Sequence, residues 1–314
     1  MHRNHALNMP SGLSIVAALF KNEWGICTML KFQLFRFKVY PSKQRDFFRE
    51  ELTPSEILRR VLQSLPAADL RKGQTWHIGN FEPVDATGVY FRLGKTSKAT
   101  LEVFDESMGS FNDQEFETAP YTHVLADVEL EVGAIASKSR LAPTTFGIAR
   151  QLMRLLNQSE VASKLEVRFE IDDIKDPEDF LSQLRNAYSI SKFRVDYTLP
   201  NPFDADEDFV KPFQKFLQSS KGTKGTVEVK GEDLESETLE KVSRSTAATG
   251  DDADAWLKRS LKARPKKISL KGNPVTFTKA TVENKTQRRG VLDLARSFYN
   301  KVRHGGKGVA KNDK

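Results

Sequence analysis

The sequence predicts an α+β protein in which helices pack on mixed or antiparallel sheets, followed by a more helical, basic C-terminal region. Three observations carry this expectation. Segments of alternating apolar and polar residues are interleaved with segments of helical periodicity. Strand–helix–strand order occurs at 165–199 and strand–helix–strand–strand order at 30–93, with no fixed-period repeat. Beyond Asp206 the chain turns polar and helical between Gly- and Ser-containing stretches. The 314 residues are 39% apolar and 29% charged, the composition of a globular chain able to bury a sizeable core.

In chain order, residues 1–28 are set apart as a leader. Leu13–Phe20 is apolar but too short to span a bilayer, Lys21 ends it, and no small-x-small cleavage site follows. Met29 is an alternative start. Residues 29–160 form a first α+β domain or half. Lys31–Tyr40 alternates as a strand, with Phe32, Leu34 and Phe37 inward. Thr53, Pro54 and Glu56 carry a helix-start signature, and Ile57, Leu58, Val61, Leu62 and Leu65 share one apolar face. Strands are expected at 75–81, 88–93, 99–104 and 121–132, with Gly94–Ser97 as a hairpin turn. Pro143 opens a helix to Asn157, with Phe146, Ile148, Leu152, Leu155 and Leu156 apolar.

Residues 161–256 form a second α+β half, in outline a relative of the first. A strand at Leu165–Ile171 precedes a helix that Asp176-Pro177 caps and that runs to Ala187. A strand at Phe193–Tyr197 follows. Helices are expected at 206–218, 233–247, 251–262 and 288–304, with loops at Ser219–Thr226 and Ser243–Asp254. Within the basic region 257–314, a short strand or hairpin is expected around Gly272-Asn273-Pro274.

Charge is the most informative functional signal. Residues 258–314 hold 17 Lys and Arg against three acids, a net of +14, while the preceding residues hold 32 basic and 39 acidic side chains, a net of −7. Lys258, Arg259, Lys262, Arg264, Lys266 and Lys267 lie within ten residues. Arg288, Arg289, Arg296, Lys301 and Arg303 occupy a helix on which Val291, Ala295, Phe298 and Val302 form an apolar stripe. Such cations neutralise phosphates and release counterions, giving sequence-tolerant, salt-sensitive nucleic-acid binding. The same helix offers its stripe to a protein partner or to a second copy of the chain, as in a non-catalytic subunit of a complex. No integral membrane segment is expected.

Catalytic signals are sparse. Cys27 is the only cysteine, so no internal disulfide or Cys-rich zinc site forms, which suits a reducing cytoplasm. Gly94-Lys95-Thr96 ends like a phosphate-binding loop but lacks its first glycine and leads into a strand. His77 and His123 sit singly in apolar strands and read as structural. Asp204, Asp206, Glu207 and Asp208 suit a helix N-terminus. With Glu228-Val229-Lys230 they also resemble the PD-(D/E)xK nucleases. That resemblance implies Mg²⁺ held by Asp204 or Asp208 and Glu228, with Lys230 beside the attacking water. Apart from that alternative no cofactor is expected. Val227 and Val229 alternate as a strand that turns Glu228 and Lys230 to solvent.

The mixed body, basic end and lack of a common catalytic motif together resemble uncharacterised bacterial proteins of phage-defence and mobile-element loci. The resemblance implies a nucleic-acid-binding accessory or effector protein in antiviral defence, and assigns no residue a role.

Overall fold

A computed structural model describes residues 29–41, 52–198 and 210–305; the leader lies outside them. The fold is α+β with antiparallel sheets, as expected. Its first element, β1 (Leu30–Pro41), pairs antiparallel with β7 (Val132–Ala136) on one side. On the other side it pairs with β13 (Thr276–Lys279) and β8 (Val167–Asp173). The remaining order runs from β7 through β6 (Tyr121–Asp127), β4 (Gly88–Asp105) and β3 (Gln74–Pro83) to β2 (Ala67–Arg71). With β5 (Ser110–Thr118) on β4 this makes a curled nine-stranded sheet. A separate four-stranded sheet has the order β10 (Lys224–Lys230), β9 (Ser189–Thr198), β11 (Ala253–Lys258), β12 (Lys266–Ser269).

Sequence and pairing explain why β1 organises the molecule. Phe35, Phe37 and Val39 face one core, beside Val89, Phe91, Leu93, Val124 and Ile135. Helices α1 (Pro54–Gln63), α2 (Thr145–Asn157) and α3 (Glu160–Lys164) cover that side. Phe32 and Leu34 face the second core, which α4 (Glu178–Arg185), α6 (Ser236–Thr249) and α7 (Lys285–His304) share with the small sheet. The strand is thus buried on both faces, whereas alternation alone predicts one. Its polar positions on the second face need partners. Arg36 donates to Tyr299 Oη at 2.9 Å and to Glu131 at 3.1 Å. Lys38 meets Asp172 and Asp251, each at 3.1 Å. Burial alone would lower the Lys38 pKa, but Asp251 and Asp172 outweigh it and keep the ammonium charged.

Two helices start with capping boxes, the first of them expected from the sequence. Thr53 and Glu56 form the capping box of α1, and Ile57, Leu58, Val61 and Leu62 are buried. Asn284 and Gln287 form another for α7, whose buried positions Val291, Leu292, Ala295, Tyr299 and Val302 follow helical spacing.

Several expectations are corrected. Gly94–Ser97 is no turn: β4 runs through it, paired with β3 on one side. A Cβ at Gly94 would lie 3.0 Å from Pro120 O, where β5 gives way to β6 along the strand. The strand expected at 121–132 is two, β6 and β7, because the Asp127 carboxylate accepts from the Glu129 and Leu130 amides and closes a turn. The helix expected at 251–262 is the strand β11, whose Ala253, Ala255 and Leu257 face the core between β9 and β12. Ser243–Thr249 is not loop but the end of α6, where the small side chains of Ser243, Ser245, Ala247 and Ala248 are buried. Three of its hydroxyls bond back along the helix, Ser243 to Leu239 O, Thr246 to Val242 O and Thr249 to Thr246 O. Short strands, β12 and β13, do flank Gly272-Asn273-Pro274, but they belong to different sheets, so the segment is no hairpin. There Asp176 N donates to Asn273 O, and a Cβ at Gly272 would collide with the Asp176 carbonyl.

Candidate nucleic-acid interface

The basic cluster Lys258–Lys267 folds as the end of β11, a loop at 259–265, and the start of β12. Arg259, Lys262, Arg264, Lys266 and Lys267 are exposed, Lys258 is half-buried, and no acid interrupts them. Among the described residues, Arg259, Lys262, Arg264 and Lys266 form no ion pair. Leu261, at 72% exposure, stands between them.

This hairpin continues into the outer face of the small sheet. Its inner face is apolar: Phe193 and Val195 of β9 lie beside Val227, Ala253 and Ala255. Directly paired residues project to the same side. Lys230, Lys192, Trp256 and Lys267 therefore form one row across all four strands. Their contacts agree with the register, since the Lys192 and Lys267 ammonium groups lie 4.3 and 5.4 Å from the Trp256 ring centre. The next row is Glu228, Arg194, Asp254 and Ser269. Asp254 pairs with Arg194 and with Lys267, the latter at 3.0 Å. Burial alone would raise its pKa, but the Ser269 hydroxyl, Lys267 and Arg194 together hold it below the usual carboxylate range. In these two rows four cations face two carboxylates.

The edge strand β10 has the arrangement expected of it, with Glu228 and Lys230 on this solvent-facing side. Glu228 contacts Lys192 at 2.7 Å and Lys230 at 3.0 Å, and these two ammonium groups, Lys192 first, lower its pKa. A metal ion would have to displace both. Asp204 and Asp208, the other arm of the nuclease resemblance, lie outside the described residues, as do Asp206 and Glu207. Among the described residues, no group of three or more His, Cys, Asp or Glu is placed to hold a metal ion.

The second basic segment has a different fate. Arg288 is buried, where it pairs with Glu82, donates to Val282 O at 3.0 Å and to Glu283 O at 2.9 Å, and lies 3.9 Å from the Tyr90 ring centre. Arg296 donates to Asp127 and Asp85, both at 2.7 Å, and to Thr87 Oγ1 at 2.8 Å. Hydrogen bonds from Arg296 pull the Asp85 pKa down to about 2, with the Gly88 and Thr87 amides assisting against burial. Arg288 and Arg296 are therefore corrected from phosphate contacts to internal partners. Arg289 and Lys301 remain exposed and Arg303 is partly buried. The apolar stripe is corrected too. Val291, Ala295 and Val302 are buried in the chain's own core and Phe298 packs against it, stacked on Phe277 at 5.5 Å, so the stripe presents no docking face.

His77 and His123 are each held by a neighbouring hydroxyl. His77 meets Thr96 Oγ1 at 3.0 Å, and His123 Nδ1 meets Tyr90 Oη at 2.9 Å. Burial, then Arg92, Arg288 and Lys138, push the His123 pKa down to about 4, leaving it neutral near pH 7.

Lys192, Arg194 and Trp256 were missed in the sequence. Trp256 was hidden by the helix expected at 251–262, although Ala253, Ala255 and Leu257 alternate with Asp254, Trp256 and Lys258. No helix among the described residues is long and apolar enough to cross a membrane. No protein-family model matches the chain and no curated protein matches it, so the interface is read from its own chemistry.

Proposed function

We propose that the protein is a nucleic-acid-binding accessory protein that holds phosphates on the β11–β12 hairpin and the adjoining face of the small sheet. The observation that carries the reading is the run of hairpin cations left without internal carboxylate partners, next to a sheet face where Trp256 lies between two lysines. Unpaired cations on a shared surface supply the salt-sensitive attraction. A planar aromatic ring among cations is the usual platform for an unstacked base, which favours a single strand over a duplex. A base on Trp256 would exchange with the ammonium groups that now cover the ring.

The test is fluorescence anisotropy with single- and double-stranded oligonucleotides over a range of salt. Arg259→Glu/Lys262→Glu/Arg264→Glu should weaken binding at least about tenfold and reduce the salt slope by about 2–3. Trp256→Ala should weaken single-strand binding by about 1–3 kcal/mol and leave duplex binding nearly unchanged. Unchanged affinity in the triple variant, with the fold intact, overturns the proposal.

A further inference from the structure

A second basic site lies on the other core's side of the molecule, away from the cluster that dominates the sequence. Helix α2 carries Gly147, Arg150, Gln151 and Arg154 at intervals that place them on one face. That face lines a cavity of about 460 Å³ whose opposite wall holds Arg71 at the end of β2, Gln74 and Trp76 of β3, and Lys95 of β4. Lys95 pairs directly with Trp76 across the β3–β4 ladder and so shares its side of the sheet. Arg71, Lys95, Arg150 and Arg154 all line the cavity, and no acidic residue does. None of the four forms an ion pair among the described residues; Arg150 only leans on the Phe146 ring, 5.9 Å from its centre. Four cations gathered at one concavity without counter-charge repel one another and focus a positive potential into it.

Two further groups in the wall are unsatisfied. Trp76 is 2% exposed, and its indole Nε1–H has no hydrogen-bond partner among the described residues. Gln151 Oε1 is likewise buried without one, so the amide is free to present its NH₂ end instead if its two ends exchange. Buried donors of this kind are normally paired. An acceptor-only anion satisfies both the donors and the cations.

We infer that this cavity binds a small ligand carrying two or more phosphate groups. The cations converge on one concavity from the end of β2, from β4 and from α2, which suits a compact polyanion rather than a backbone running along a surface. The volume is in the range of small-molecule sites. Guanidinium groups engage phosphate oxygens in pairs, so adjacent phosphates use three arginines better than a lone phosphate does. Gly147 of the first turn of α2 is in the lining, so the helix adds its dipole.

The test uses the full chain with inorganic pyrophosphate, ATP and orthophosphate as probes, by titration calorimetry and by thermal shift. Pyrophosphate and ATP should each bind one per chain and raise the melting temperature, because a ligand of the folded state stabilises it. Orthophosphate should bind at least about tenfold more weakly. Arg150→Glu/Arg154→Glu should weaken pyrophosphate at least about tenfold, and Arg71→Gln/Lys95→Gln provides an independent pair should the first fold poorly. The hairpin variant Arg259→Glu/Lys262→Glu/Arg264→Glu should keep pyrophosphate binding, which separates this site from the nucleic-acid interface. Absence of pyrophosphate and ATP binding at about 1 mM, or binding indifferent to both cavity pairs, overturns the inference. Loss of oligonucleotide binding alone in the cavity variants would assign these cations to nucleic acid and also overturn it.

Discussion

Helix α7 and the β11–β12 hairpin are comparably basic in sequence, yet they use their charge in opposite ways. In α7, Arg288 and Arg296 are drawn inward, where Glu82 of β3, Asp85 of the β3–β4 turn and Asp127 of β6 meet them. In the hairpin, Arg259, Lys262, Arg264 and Lys266 stay outside and keep their charge unspent. The difference comes from what each segment packs against. An amphipathic helix laid on a sheet brings its flanking arginines beside strand-end carboxylates. A hairpin at a sheet edge projects its loop into water. A count of basic residues therefore overstates the surface available to a polyanion, and the carboxylates that cancel it are remote in sequence.

The sharpest way to break this comparison is to treat α7 as if it were surface. Arg296→Ala strands Asp85 and Asp127 without their cation, and should cost about 3 kcal/mol of stability in urea unfolding, with oligonucleotide affinity unchanged. A neutral effect would put Arg296 back among the phosphate contacts.

A smaller effect sharpens the same point through pH. The folded Asp85 pKa is lowered from 3.8 to about 2, so its contribution is present above pH 4 and is lost as pH falls through about 2. Asp85→Asn should therefore cost about 2 kcal/mol at neutral pH, with the gap to the unmodified chain closing between about pH 4 and pH 2. A gap that is constant with pH would deny the ion pair its role.

The hairpin should show the reverse pattern. Its triple charge reversal should leave stability within about 0.5 kcal/mol while removing nucleic-acid affinity. The smallest effect is expected at Glu228→Gln, where an exposed cross-strand pair is lost: no measurable shift of the unfolding midpoint and no Mg²⁺-dependent change in any activity. A Mg²⁺-dependent difference there would revive the nuclease resemblance.

Much of the fold was legible because local rules sufficed. The capping box at Thr53–Glu56, the alternation of Lys31–Tyr40 and the stripe of α7 each encode their element within a few residues. The failures came where long-range packing decided. Small serines and alanines in α6 resemble a loop until close helix packing is seen, and β11 resembles a helix until β9 and β12 flank it. Of the interface, the hairpin cations were legible and Lys192, Arg194 and Trp256 were not, because register across four strands is a property of the sheet. The cavity beneath α2 was also missed. Its signal is Arg150, Gln151 and Arg154 on one helical face, apart from the apolar residues that identify the helix.

The pairing of β1 with β13 has a consequence in time as well as in space. Leu30 opposes Lys279 and Phe32 opposes Phe277, so Leu30–Gln33 of β1 lack a partner on that side until residues near 280 are available, while β8 covers Phe35–Pro41. Closing so long a loop is entropically slow, and it is rewarded only when the far strand docks. During synthesis, the apolar β1 edge and the second core would stay incomplete until the basic segment has left the ribosome. A shortened chain ending before β13 would expose that edge, so aggregation of such truncations is expected and says nothing about nucleic acid.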